Sequence, residues 1–175
     1  AAPPVLLRKL SEEIINRGLT VTWWTNIRFE KSFSSELCQL MAKAGCIALT
    51  GGLEVALNRL LGLMNKGVTV EQAAISCKNM QDAGIMVHTY LMYGFPTQTL
   101  QETVDSLEIV RQLFSNGLIQ SGFWHRYAMT CHSPSGLKPE LFGVKRVSLK
   151  PNTFANNEVA YIENSKYDYE RVGKG

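Results

Sequence analysis

At 175 residues the chain is long enough for one domain with its own core, and a 45% share of hydrophobic residues is ordinary for a globular protein. The net charge of +3 is small and the lysines and arginines are scattered, which argues against a nucleic-acid or membrane partner. No apolar run approaches the roughly 18 residues of a membrane helix, and Ala1-Ala2-Pro3-Pro4 lacks the basic stretch and apolar run of a signal peptide.

In chain order, residues 3–17 read as a helix with no strand before it. Four times a helical segment then ends at a glycine and an apolar run follows: Arg17-Gly18-Leu19, Ala44-Gly45-Cys46, Ala83-Gly84-Ile85 and Asn116-Gly117-Leu118. Glycine just past a helix takes the left-handed position at no steric cost. The runs after it predict strands over 19–24, 46–50, 85–93 and 120–129. They are apolar on both faces, which predicts a parallel sheet buried on both sides.

Between the strands, Leu57, Leu60, Leu61 and Met64 have the spacing of a helical core face, with Lys66 at that helix's end. Thr69 with Gln72, and Thr99 with Glu102, fit capping boxes. Leu100, Val104, Leu107, Val110 and Leu113 form the stripe of the last long helix. The alternation implies right-handed βαβ units. Residues 152–175 are polar and show no hydrophobic face. About four strands cannot close a barrel. The expected fold is therefore α/β, a partial parallel (βα) barrel over 1–150 followed by a polar extension over 151–175. A missing partner surface, or a missing part of the same barrel, would cover its open edge.

In parallel α/β folds the site lies at the carboxyl ends of the strands. Four such loops carry the candidates: Thr25-Asn26-Ile27-Arg28, Thr50-Gly51-Gly52-Leu53-Glu54, Tyr93-Gly94-Phe95-Pro96-Thr97-Gln98-Thr99 and Met129-Thr130-Cys131-His132-Ser133-Pro134. Their glycines let a ligand approach the backbone. Glu54 suits a ribose diol as an acceptor, or equally a helix N-terminus as a charge partner. Lys66, beside Gly67, has the ordinary position of a helix C-terminal dipole partner. His88 reads as a hydrogen-bonded strand residue, and Arg126 as an arginine pointing into a polar cavity. His88, His125 and His132 lack metal-ligand spacing. Cys38, Cys46, Cys77 and Cys131 form no CxxC pair and read as reduced, buried thiols of a cytoplasmic protein.

Taken together, the loops resemble those of radical S-adenosylmethionine (SAM) enzymes. Gly51-Gly52-Leu53-Glu54 with Asn58-Arg59-Leu60-Leu61 and Met64-Asn65-Lys66-Gly67 is similar to the fourth strand–helix unit of that family. Ala83-Gly84-Ile85-Met86-Val87-His88 with Tyr93-Gly94-Phe95-Pro96-Thr97-Gln98-Thr99 resembles the fifth, and Phe123-Trp124-His125-Arg126-Tyr127 with His132-Ser133-Pro134 the sixth. The wording is closest to the subgroup with an N-terminal cobalamin-binding-type domain.

The resemblance implies strands three to six of a six-stranded barrel. It implies SAM and an iron–sulfur cluster as cofactors, with cobalamin in a separate domain as a further option. Reductive cleavage of SAM would start radical chemistry on a substrate the sequence does not reveal. It also implies a cytoplasmic enzyme whose partners are that substrate and the missing N-terminal half of the barrel. By the same resemblance Glu54 would contact the ribose and Lys66 the methionyl carboxylate. Tyr90 would sit near the nucleoside and Gly94 beside the adenine, with Asn26 and Arg28 as further binding candidates. The family's CxxxCxxC loop is absent from this chain, and Asn58 stands where an acidic residue is expected. Two other readings stay open: a cluster-independent anion- or cofactor-binding half-barrel, and a non-catalytic α/β module that completes its sheet with a partner.

Overall fold

The computed structural model describes residues 1–147, 157–163 and 169. The chain runs α1 (Pro4–Asn16), β1 (Trp23–Ile27), α2 (Ser35–Lys43), β2 (Cys46–Glu54), α3 (Asn58–Leu63), α4 (Val70–Asp82), β3 (Met86–Tyr93), α5 (Leu100–Ser115), β4 (Ser121–Arg126), α6 (Pro134–Leu137), β5 (Val144–Arg146) and β6 (Tyr161–Glu163). The first four strands form one sheet in chain order, every pair parallel. This is the expected partial barrel. Gly18, Gly45, Gly84 and Gly117 all take positive φ at the junctions the sequence marks.

The first strand begins later than the sequence predicts. Leu19 and Val21 are exposed, and pairing starts at Trp23 and continues through Ile27. Gly45 sets this approach: a Cβ there would lie 1.9 Å from the Val21 carbonyl oxygen. The last strand is shorter than 120–129, and Arg126 is exposed at its end rather than held in a buried cavity.

The expectation of a sheet buried on both sides fails for the described residues. One face alternates Ile27, Leu49, Leu53, Val87 and Leu91 into a core shared with Leu7, Leu37, Met41, Cys77 and Met80 of the helices. The other carries Trp24, Tyr90 and Phe123, which are 65%, 46% and 56% exposed. The side-chain period of a strand is two, so apolar residues at every position fill both faces whether or not both are covered.

Helix starts follow the side chains that cap them. Thr99 and Glu102 form the complete reciprocal box. Thr69 accepts from the Gln72 backbone N–H, but the Gln72 side chain turns to Ser76, so only half of that box forms. The stripe read on α5 is half right. Val110 and Leu113 are buried, joined by Thr103 and Ser106, while Leu100, Val104 and Leu107 face outward.

A second, smaller core roofs the carboxyl end of the sheet. Val55, Leu60, Met92, Phe95, Met129, Phe142, Val144 and Val159 pack there. Strands β5 and β6 pair antiparallel beside it. The segment read as a polar extension thus supplies Val159, Tyr161 and the buried ring of Tyr169. The boundary expected at 150/151 lies outside the described residues. Among those residues no helix is long and apolar enough to cross a membrane.

Candidate functional site

The site is built where β2 ends. Gly51 and Gly52 are neighbours, so they face opposite sides of the strand. A Cβ on Gly51 would lie 2.5 Å from the ring of Phe29, a fully buried side chain. A Cβ on Gly52 would lie 2.5 Å from Glu54 Oε1. The first glycine makes room for a core ring, the second for a carboxylate. Pairing with β3 is irregular between Gly52 and Glu54, and Glu54 takes φ +57°.

The chain then doubles back. Helix α3 has only six residues, and Asn65 and Gly67 beyond it both take positive φ. Lys66 therefore does not end a long helix. It returns to Glu54, its Nζ donating to Glu54 Oε1 at 2.8 Å. The sequence reading, which separates the two by a helix length, is corrected here: Asn65-Lys66-Gly67 breaks the helix and brings the two charges together. Arg28 joins them through Nη2, which donates to the Lys66 carbonyl oxygen at 2.6 Å. A cleft of about 290 Å³ lies between Arg28, Gly52, Glu54, Lys66 and Val68.

Chemically this cleft offers a carboxylate that is mostly enclosed and an ammonium that is partly so, with side-chain exposures of 16% and 38%. A carboxylate in such a place accepts hydrogen bonds from a diol more strongly than it would in water. The ammonium suits a ligand carboxylate. A ligand using both must replace the bond each charge makes to the other.

Of the six candidates, Arg28, Glu54 and Lys66 converge. Tyr90 is opposite Gly52 in the β2–β3 register, on the open face, with its ring edge-on to His88 at 5.3 Å. Asn26 pairs with Thr50 further back along the sheet and does not line the cleft. Gly94 lies at the end of β3 with φ +74°. There the Gln98 side chain accepts from the N–H groups of Gly94 and Phe95 at 2.9 and 3.1 Å. The Tyr169 ring packs over Gly94, and its hydroxyl donates to the Gln98 carbonyl.

Sequence reasoning misses two residues that tie α3 to its neighbours. Asn58 accepts from the Val70 N–H at 2.8 Å and donates to the Glu71 carboxylate at 3.0 and 3.2 Å. An acidic residue there would oppose Glu71, which accounts for the amide. Arg59 forks onto Glu102 at 2.5 and 2.8 Å and also reaches the Thr97 carbonyl at 3.0 Å. This holds the Glu102 carboxyl well below its usual range, at about 2. Only long-range pairing reveals Arg59, and one sequence carries no such signal.

The three core thiols do not suit a cluster. Cys38, Cys46 and Cys77 are buried in the core, and burial pushes them up to about 11, 12 and 12. Cluster ligands are thiolates. Among the described residues no three His, Cys, Asp or Glu side chains gather as a metal site. A cluster does not fit the described side chains.

Comparison with known proteins bears on the family and the fold. The profile of the radical SAM superfamily matches residues 5–110. Over 104 residues the chain is 26% identical to an uncharacterized methyltransferase of Pyrococcus horikoshii, a span covering 59% of this chain and 22% of that protein. It is 31% identical over 101 residues to the anaerobic magnesium-protoporphyrin IX monomethyl ester cyclase of Rubrivivax gelatinosus, covering 57% of this chain and 18% of that one. It thus spans about a fifth of the length of these relatives. In fold it is similar to the radical SAM methyltransferase TsrM of Kitasatospora setae, solved with cobalamin and a 4Fe-4S cluster. The TM-score is 0.67 at 17% identity, over 88% of this chain and 31% of that one. The cobalamin-dependent SAM radical enzyme OxsB gives a TM-score of 0.58 at 15% identity, over 79% and 20%. With more than half of its length matched by the family profile, the chain belongs to the radical SAM superfamily.

Proposed function

We propose that this chain is the strand-three-to-six part of an enzyme that binds SAM across the carboxyl end of its barrel and starts radical chemistry from it. The convergence of Arg28, Glu54 and Lys66 on one cleft carries the reading. In it, Glu54 accepts from the ribose hydroxyls and Lys66 parts from Glu54 to meet the methionyl carboxylate. Arg28 holds the Lys66 backbone while that exchange occurs. Tyr90, across the register from Gly52, flanks the nucleoside.

In this reading the cluster that would cleave SAM belongs to the first strands of the barrel, outside this chain. Those strands would pair with β1 and face the row of Trp24, Tyr90 and Phe123. Exposed Val5, Leu6 and Leu10 on α1 support a neighbour on the same flank. The reading places the enzyme in the cytoplasm, with four unpaired thiols as support. Cobalamin, which TsrM and OxsB bind and which here would lie in a separate domain, and a substrate oxidised by the radical complete it.

SAM binding to the complete polypeptide carrying this chain tests the site. Glu54→Gln and Lys66→Met should each weaken binding about tenfold, the loss of one charge-assisted hydrogen bond. Their melting temperatures should stay within a few degrees of the parent. Unchanged SAM affinity in both variants would sink the assignment.

A further inference from the structure

We infer that Arg59 is a positioning residue for the Glu54–Lys66 pair, a role that rests on the SAM reading above. Backbone strain in the described chain has a narrow address. Non-glycine residues with positive φ are Glu54, Ala56, Asn65 and Thr97. Three of them bracket α3, and Arg59 grips the fourth. Such conformations cost on the order of 1 kcal/mol or more each and persist only where the surroundings over-determine them.

Helix α3 is too short to hold that arrangement by itself. It buries only Leu60 and Leu61. Two adjacent polar residues at its start attach it sideways to two other helices. Asn58 binds the first turn of α4. Arg59 binds Glu102, which caps α5, and both the carbonyl and the hydroxyl of Thr97, at 3.0 and 3.3 Å. Thr97 is in turn fixed by its N–H donating to Glu163 at 3.1 Å.

The guanidinium therefore joins the strained turn after β3 to the helix that carries the chain from Glu54 to Lys66. With α3 so anchored, Lys66 returns to within 2.8 Å of Glu54. Arg59 itself does not line the cleft. It acts on the ligand through the two charges it places.

The test is a double-variant cycle on the complete polypeptide, with SAM as the probe and equilibrium binding as the readout. Arg59→Met should weaken SAM binding about fivefold to tenfold, a coupling of the size seen between residues in one network. In a background carrying both Glu54→Gln and Lys66→Met the same change should cost less than about twofold, because both positioned groups are gone. Arg59→Lys keeps the charge but loses the fork, and should fall between parent and Arg59→Met; it also serves if Arg59→Met fails to fold. An equal loss in both backgrounds would show that Arg59 only stabilises the fold and would overturn the inference, as would full affinity in both Arg59 variants. If Glu54→Gln alone leaves binding intact, the site reading fails first and the inference falls with it.

Discussion

The strand ends after β2 and β3 both carry glycines that the sequence offers as places for a ligand, yet the structure uses them differently. After β2 the chain doubles back and leaves a cleft edged by Arg28, Glu54 and Lys66. After β3 the turn is filled from within: Gln98 ties down Gly94 and Phe95, and Tyr169 covers Gly94. Glycine makes room, and the following residues decide who takes it. A short side chain reaching back, such as Gln98, closes the turn. A six-residue helix bounded by left-handed residues holds it open.

The contrast can be broken first at Gln98. Its oxygen satisfies two buried N–H groups, so Gln98→Ala should destabilise by about 2–4 kcal/mol in chemical denaturation, with each orphaned donor adding its desolvation cost. A loss under about 1 kcal/mol would mean that the turn is not closed from within.

The two glycines of β2 sharpen the contrast further. Gly51→Ala drives a methyl into the buried Phe29 ring and should cost about 1–3 kcal/mol of stability, as overpacking does. Gly52→Ala meets only the movable end of Glu54. It should cost less than about 1 kcal/mol while displacing the carboxylate and weakening SAM binding. Equal stability losses at the two positions would show that they do not divide core from site.

The smallest effect is in acid. Glu102 titrates at about 2 in the fold, chiefly through its hydrogen bond from Arg59, against 4.5 for an ordinary glutamate. Its folded pKa is depressed, so its contribution to stability is full above about 4.5 and is lost as pH falls toward 2. Between those pH values the parent should lose stability more steeply than Arg59→Met. Matching slopes would show that Arg59 and Glu102 are not coupled in solution.

Much of the fold is legible because it is local. Each helix–glycine–strand junction is a few residues long, and each glycine takes the positive φ read for it, although after Gly18 the strand starts only at Trp23. Four strands in parallel order follow from that repetition. The errors fall where a neighbour decides. Leu100, Val104 and Leu107 have helical spacing yet face outward, because spacing marks a stripe and packing selects which part of it is covered. In the site, the resemblance names Arg28, Glu54 and Lys66, which the structure brings to one cleft, but the return of Lys66 to Glu54 is not legible in it. Asn65 and Gly67, both residue types that accept positive φ, are the local signal that could have shown it.

The placement of the cysteines has a practical consequence. Cys38, Cys46 and Cys77 are sealed in the helix-side core, while Cys131 is half-exposed, with its Sγ donating to Asn157. An alkylating reagent should therefore mark Cys131 on the intact fold and reach the others only when the core opens. One thiol is then a built-in attachment point for a dye. The other three act as a clock, and their modification rate reads how often the sheet and its helices part.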